Sequence, residues 1–377
     1  MKKTLLITSN FFPAEGGIGS HMGIYFYLPG KSAVVLAPKE GDYQEFDRNS
    51  SLKIVRSRWF GNYSGLGRIL RICGLTLAVL MILKMHQIQV VHIADIKAIP
   101  LPLWYIFKFV GVPVVSFIHG QELAILGPQK IRAALASSKL IIAISGFTRD
   151  TLISDFKVPS GKIAVLNPGF KQELLKVETQ PQKIRTKYKL QKKFVILTIS
   201  RLIKRKGHAT VLNSLAHLKQ AGYGNFAYLI VGRGPEEATL KDLIRDLNLE
   251  DTVNFVGYTP DEDLPSFYDA CDVFVMVPVN IAGDYEGFGI VYLEAGAFGK
   301  PVIGSRSGGI PDAIKDGKTG FLINPEDHQQ LAEILLRLAK NKDLGIKLGR
   351  NGYNLAKRSA SDKIAERLLS IIERNGL

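Results

Sequence analysis

The chain alternates short, almost continuously apolar runs with longer stretches in which apolar positions recur every three or four residues. Runs at 4–9, 32–37, 90–94, 114–118 and 140–144 are rich in Val, Ile and Leu. They are too short for helices and read as strands buried on both faces. A weaker run at 53–56 reads as another strand, and 163–166 leads into Asn167-Pro-Gly169. Between them, 65–86 and 101–109 read as helices. A fresh series starts at 194, with strands at 194–200, 226–231, 253–256, 273–277, 301–304 and 320–323. Helices are predicted over 208–219, 328–340, 344–357 and 361–374. In the first of these, Val211, Leu212, Leu215 and Leu218 fall on one face. Strands that alternate with helices predict a mainly parallel sheet covered on both sides, here twice over.

Residues 170–192 break the pattern. They are rich in Lys, Gln and Thr with little apolar periodicity, and they read as a linker. The predicted organisation is a Rossmann-like domain over 1–169, the linker, and a second Rossmann-like domain over 193–359. At 377 residues each domain can bury its own core.

Charge changes the picture more than composition does. Hydrophobic content of 46% and charged content of 22% are ordinary for a globular chain. A net charge of +15 points to an anionic partner: nucleic acid, a phosphorylated ligand or an acidic membrane surface. No stretch interleaves basic residues with aromatics in the manner of a nucleic-acid groove, so nucleic acid is set aside. Cys73 and Cys271 are the only cysteines. They supply neither a disulfide framework nor a cysteine zinc cluster, and they fit a reducing compartment. The apolar run at 4–9 is too short for a signal peptide and is broken by Asn10-Phe-Phe-Pro-Ala-Glu-Gly-Gly. The longest apolar tract, 72–83, falls short of a bilayer span. A cytoplasmic location is expected.

Candidate chemistry concentrates at predicted strand ends, where parallel sheets bind ligands. In Glu286-Gly-Phe-Gly-Ile-Val-Tyr-Leu-Glu294 two carboxylates bracket a glycine-opened segment read as helix. A helix N-terminus there suits phosphate or sugar hydroxyls. Glu294, eight residues on, would lie roughly 12 Å along the helix, and a carboxylate can accept both hydroxyls of a diol. Arg201 and Lys206 flank the end of the strand at 194–200 and can neutralise a diphosphate without a metal. Lys204 and Arg205 between them read as solvated. Asp261-Glu-Asp263 reads as helix-start acids after Pro260, and no His, Cys and Asp set has metal-ligand spacing. Gly232-Arg-Gly-Pro235, Val256-Gly-Tyr258 and Ser307-Gly-Gly309 each follow a strand. In the first half, Gly16 and Gly17 form a glycine loop without the full dinucleotide pattern. His119-Gly-Gln-Glu122 follows another strand, and Arg149 lies in a helix opening at Ser145.

The spacing of Arg201, Lys206, Glu286 and Glu294 resembles the signature of family 4 of the retaining glycosyltransferases. The resemblance implies the GT-B fold: two Rossmann-like, doubly wound parallel-sheet domains facing a central cleft, with the last helix, about 360–377, packed back on the first. It implies that Arg201 and Lys206 stabilise a departing nucleoside diphosphate. Glu286, with Phe288, Gly289 and Ile290, would hold the transferred sugar, and Glu294 the ribose. Gly232 and Val256 would line the nucleotide side. Gly16 and Gly17 would approach the donor phosphate, and His119 the sugar. Gly17, Glu122 and Arg149 are the acceptor candidates. Transfer would proceed with retention, the leaving phosphate taking the acceptor proton, with a nucleotide-sugar co-substrate and neither metal nor other cofactor. The stretch from Gly283 to Ala295 resembles the phosphatidylinositol mannosyltransferase branch, which favours GDP-mannose, with UDP-sugars open. An epimerase or phosphorylase on the same fold, or a non-catalytic anion-binding protein, are the competing functions. Finally, Arg58-Trp-Phe-Gly-Asn-Tyr-Ser-Gly-Leu-Gly-Arg-Ile-Leu-Arg71 mixes aromatics, leucines and arginines. It suggests a reversible dock on the anionic inner face of the cytoplasmic membrane, near a lipid-linked or saccharide acceptor. The 72–83 tract behind it is expected to pack on the sheet.

Overall fold

The apolar runs become strands wherever Val, Ile and Leu continue without polar alternation, because a parallel sheet is covered on both faces. The protein, seen here as a computed structural model, is described over residues 2–13, 17–29, 33–61 and 64–377. Two compact units divide it, one of Met1–Lys171 with Ala360–Leu377 and one of Gln172–Ser359.

The first unit runs β1 (Thr4–Ile7), α1 (Gly17–Met22), β2 (Ala33–Pro38), α2 (Tyr43–Asn49), β3 (Lys53–Ser57), α3 (Gly65–Met85), β4 (Val90–Ile93) and α4 (Leu101–Val110). It continues with β5 (Val114–Ile118), α5 (Gln121–Ile125), α6 (Pro128–Ser137), β6 (Ser138–Ala143), α7 (Gly146–Ser154) and β7 (Ile163–Val165). The strands lie in the order β3-β2-β1-β4-β5-β6-β7, and the pairs are parallel. One face is covered by α3, α4 and α6, through Leu75, Val79, Leu103, Trp104, Phe107 and Ile131.

The second unit runs α8 (Pro181–Lys187), β8 (Phe194–Ile199), α9 (His208–Gln220), β9 (Phe226–Val231), α10 (Glu237–Asp246), β10 (Val253–Gly257), α11 (Leu264–Ala270) and β11 (Val273–Val275). It closes with α12 (Ile290–Ala297), β12 (Val302–Ser305), α13 (Ile310–Ala313), β13 (Gly320–Ile323), α14 (His328–Lys340) and α15 (Lys342–Arg358). Its parallel sheet has the order β10-β9-β8-β11-β12-β13. After it, α16 (Ser361–Arg374) returns to the first unit. Ile364, Ala365, Leu368 and Ile372 there pack with Leu6, Val35, Val115 and Leu140 on the other face of the sheet. Ser361 is pinned by its N–H and Oγ, which donate to Phe170 O at 3.1 and 2.8 Å. The two doubly wound sheets are those the alternation predicts. Each reverses its strand order beside its first strand, and each sets its loops at the carboxyl ends of the strands.

Two segments differ from expectation. Residues 172–192 are not free of structure: Thr179 Oγ1 donates to Asp269 Oδ2 at 2.5 Å, Tyr188 packs on Phe267, and Leu190 is buried. Helices this short leave no periodic signature. The acids at 261–263 lead into α11 as expected, with Asp263 at its N-cap position and without a side-chain capping hydrogen bond. In α3, only one stripe is buried (Leu75, Val79, Ile82 and Leu83), while Leu77, Leu80 and Met81 face outward. A helix apolar on every side carries no sequence signal for which face lies inward.

Candidate active site

In the second unit β8 runs into Ser200-Arg-Leu-Ile, then a turn of 3-10 helix, Lys204–Lys206, that opens α9. Gly207 joins turn and helix at φ +74°, and a Cβ there would lie 2.0 Å from Val277 O. Only glycine allows that approach. It brings the cationic turn against the loop that follows β11.

That loop carries Glu286. Lys206 Nζ donates to Glu286 Oε2 at 2.5 Å, and Arg205 Nη1 donates to the same oxygen at 2.8 Å. Arg205 Nε lies 3.1 Å from Asp284 Oδ1. That is close enough for ion pairing, but the two atoms are not aligned for a hydrogen bond. The Arg205 side chain is 4% exposed, so the expectation of a solvated arginine is corrected. The tight turn rotates Arg205 inward and leaves Lys204 and Arg201 exposed. Burial pushes the Glu286 carboxyl up, but the charges and hydrogen bonds of Lys206 and Arg205 outweigh it and hold the group below the ordinary carboxylate range. Glu286 is ionised at neutral pH.

Its backbone is held as firmly. Gly309 N–H donates to Glu286 O at 2.9 Å. Gly308 (φ +54°) sits so close that a Cβ would come within 2.3 Å of the same oxygen. Ser307-Gly-Gly309 therefore clamps the Glu286 loop. Glu286 is not on a helix with Glu294: α12 begins at Ile290, capped by Gly289, so the helical spacing read from the sequence does not apply. Phe288 and Gly289 are buried and Ile290 half-buried. Tyr292 donates to Met276 O at 2.5 Å and ties α12 to the end of β11. Glu294, half-buried on α12, accepts from Tyr268 Oη at 2.6 Å. Burial first, then the Glu294 charge, pushes the Tyr268 phenol far up, so it stays a donor.

Gly232 N–H donates to Gly257 O at 2.8 Å, and Leu202 N–H to Arg233 O at 2.9 Å. The loop after β9 is thereby laced to the loop that carries Arg201. Val256 is half-buried and lines a cavity of about 280 Å³ with Tyr188, Tyr258 and Phe267. Behind the Arg201 loop lies a buried relay that sequence reasoning missed. His208 Nε2 meets Ser200 Oγ at 3.0 Å, His208 Nδ1 meets Tyr228 Oη at 3.4 Å, and Tyr228 donates to Thr198 at 2.8 Å. Burial lowers His208 to about 4, so the ring is neutral. Its place at the start of α9, eight residues after Ser200, is the available signal.

The first unit holds the remaining candidates. His119 follows β5, and its Nε2 donates to Ala94 O at 2.9 Å. Since a carbonyl only accepts, Nε2 carries the proton. Glu122, expected at an acceptor, is 1% exposed and instead holds the backbone: its Oε1 accepts from His119 N–H at 2.6 Å. Burial raises its carboxyl despite the nearby His119. Arg149 is exposed and pairs with its neighbour Asp150 at 2.7 Å. Gly17 is the exposed first residue of α1, whereas Gly16 lies outside the described residues. His21, unnoticed in the sequence, is buried 5.7 Å from the His119 ring with neither ring nitrogen partnered. Burial, then the charge of His119, drives it far down and keeps it neutral. Among the described residues no three His, Cys, Asp or Glu side chains are grouped to hold a metal ion.

Residues 30–174 match Glycosyltransferase Family 4, and 180–355 match the glycosyl transferases group 1 family. A GDP-mannose-dependent alpha-(1-6)-phosphatidylinositol monomannoside mannosyltransferase of Mycolicibacterium smegmatis is 31% identical over 340 residues, 86% of this chain and 85% of that one. This chain belongs to the family 4 glycosyltransferases. The protein of the same description from Mycobacterium tuberculosis is 29% identical over 371 residues, 93% of each chain. The solved structure of Anabaena Alr3699/HepE in complex with UDP and glucose covers 99% of this glycosyltransferase and 100% of its own chain, with a TM-score of 0.80 and 22% identity. That likeness places the fold in the GT-B class. The epimerase, phosphorylase and non-catalytic readings find no support among these relatives. The glycosyltransferase carries one carboxylate fixed between two cations in one unit, and a backbone-anchored histidine in the other.

Proposed function

We propose that this glycosyltransferase moves mannose from GDP-mannose to a hydroxyl of a lipid-linked or membrane-proximal acceptor, with retention and without a metal ion. It works as a reversible peripheral enzyme at the inner face of the cytoplasmic membrane. The observation that carries the reading is the Lys206–Glu286–Arg205 cluster beside exposed Arg201, at the start of a thirteen-residue helix. Diphosphate departure concentrates negative charge on the leaving oxygens. Preset cations and a helix N-terminus stabilise that charge more in the transition state than in the bound donor. Glu286, ionised and clamped, orients Lys206 and offers a carboxylate to sugar hydroxyls. Glu294, steadied by Tyr268, suits the ribose diol. The proton of the attacking hydroxyl passes to the departing phosphate, which leaves from the face that is attacked.

The mannosyl donor is supported by the activities named for the mycobacterial relatives. A UDP-sugar is the second reading, favoured by the UDP and glucose bound in the Anabaena protein. A panel of GDP- and UDP-sugars with excess EDTA, followed by donor hydrolysis, separates them. GDP-mannose turnover unaffected by EDTA is expected. Turnover of UDP-sugars alone would overturn the donor, and loss with EDTA restored by magnesium would overturn metal-free chemistry.

A further inference from the structure

Helix α3 carries two apolar stripes. The inner one, Leu75, Val79, Ile82 and Leu83, packs on the sheet. The outer one runs half a turn away through Leu66, Ile69, Leu70, Leu77, Leu80 and Met81, which are 72, 58, 53, 60, 37 and 52% exposed. The neighbouring α4 repeats the arrangement. Leu103, Trp104 and Phe107 face in, while Tyr105 and Phe109, one turn apart, face out at 62 and 94% exposure. A covering helix ordinarily turns polar residues to water, and an apolar surface of this extent marks an interaction site. The 21 residues of α3 have the length of a membrane span, and an 18-residue window within them has a mean hydropathy of 2.0. The inner stripe, however, is committed to the core, so α3 lies along a surface rather than across one.

The charges identify the surface. In α3 and α4 together they are Arg68, Arg71, Lys84 and Lys108, all basic. At the N-terminal end of α3, Arg68, Arg71 and Lys130 line a cavity of about 600 Å³ with Pro100, Leu101 and Pro128. There Arg71 donates to the carbonyl oxygens of Trp59 and Ala98 at 3.0 and 3.3 Å. A second copy of this face would bring only cations together. An anionic lipid surface supplies both an apolar phase and counter-charge.

We propose that the outer faces of α3 and α4 seat the enzyme on an anionic bilayer, with both helix axes in its plane and the basic side chains reaching the lipid phosphates. The inference rests on the membrane reading above and names the face, which extends well past the expected 58–71 segment. The test is flotation of the full chain with phosphatidylcholine vesicles, with and without phosphatidylglycerol, at low and moderate salt. Wild type should float with anionic vesicles, more weakly at moderate salt. A Leu70→Asp/Leu77→Asp variant should lose about 100-fold or more in vesicle affinity. Ile346→Asp, at an equally exposed apolar position in the second unit (67% exposed), should bind as wild type. GDP-mannose hydrolysis in water should be unchanged in all three, so failure of the donor reading shows separately. The fluorescence of a Phe109→Trp variant should be quenched by brominated lipid at the introduced indole. Wild-type flotation of the Leu70/Leu77 variant, no quenching in the Phe109→Trp variant, or a lipid-free dimer that dissociates in the Leu70/Leu77 variant would each overturn the proposal, the last in favour of a second copy.

Discussion

Replacing Arg205 by alanine tests whether the cationic turn is built around Glu286. The substitution removes a charge-assisted hydrogen bond of 2.8 Å from a carboxylate that is 15% exposed. Such bonds are worth about 1.5–3 kcal/mol, and breaking a buried pair about 3–5. Lys206 remains on the same oxygen. Asp284, 48% exposed, is partly relieved by solvent, so its loss adds little. The expected destabilisation of the second unit is therefore about 3 kcal/mol. Both tryptophans, Trp59 and Trp104, belong to the first unit, so their fluorescence would miss the effect. Urea unfolding should instead be followed by hydrogen exchange of peptides spanning β8 to β13. A Glu286→Gln partner variant closes the double-mutant cycle, with a coupling of about 2 kcal/mol expected. The pH dependence has a definite sign. The Glu286 carboxyl is depressed in the fold, so its stabilisation is present above the unfolded value of about 4.3 and is lost as pH falls through the folded one. With Arg205 gone the depression shrinks, and acid unfolding of this unit should begin at higher pH. An Arg205→Ala protein within about 0.5 kcal/mol of wild type, additive with Glu286→Gln, would refute the cluster.

Glu294→Ala should orphan the buried Tyr268 hydroxyl, costing about 1–3 kcal/mol of stability, and should weaken nucleoside diphosphate binding about tenfold. Calorimetry on both quantities checks it, and unchanged affinity removes Glu294 from the donor site. His208 falls from 6.5 to about 4 on folding, so the unfolded chain binds the extra proton between those values and stability drops as pH falls through that window. His208→Gln should flatten the stability profile between pH 7 and 4 by about 3 kcal/mol; an identical slope in both proteins contradicts the assignment. Glu122→Gln should retain turnover, because an amide oxygen still accepts from His119 N–H, whereas Glu122→Ala should lower kcat with little change in donor KM. An effect confined to acceptor KM would return Glu122 to the acceptor site.

What the sequence makes legible follows the range of the interaction that decides it. Parallel strands announce themselves because burial on both faces demands unbroken apolar runs such as Ala33–Pro38 and Phe226–Val231. Gly289 is visible, but not that it ends a turn and delays α12 until Ile290, which takes Glu286 off the helix. Lys206 and Glu286 stand out by residue type. Their contact, and the burial of Arg205 beside them, depends on carboxylates some eighty residues on in another loop, and no local pattern encodes that. Glu122 reads as an acceptor candidate because its partner, a backbone N–H three residues back, leaves no mark in the sequence. For α3, apolar residues on every side describe a buried helix and a surface-seeking one equally well.

The return of α16 to the first sheet fixes when that unit can mature during synthesis. Unit two is contiguous, and its chain is complete once Ser359 has left the ribosome. Unit one, although made first, leaves part of the face of Leu6, Val35, Val115 and Leu140 uncovered until Ile364, Leu368 and Ile372 join Met22, Ile24 and Tyr25 there. The usual vectorial order, with the first-made domain folding first, is thus inverted. Nearly two hundred residues of translation separate the making of that sheet from the helix that covers it. A nascent chain stalled anywhere in this interval displays an apolar sheet face, a natural client for chaperones. Stop codons placed between Ser359 and Ile364 should therefore yield insoluble product rather than a slightly shortened enzyme.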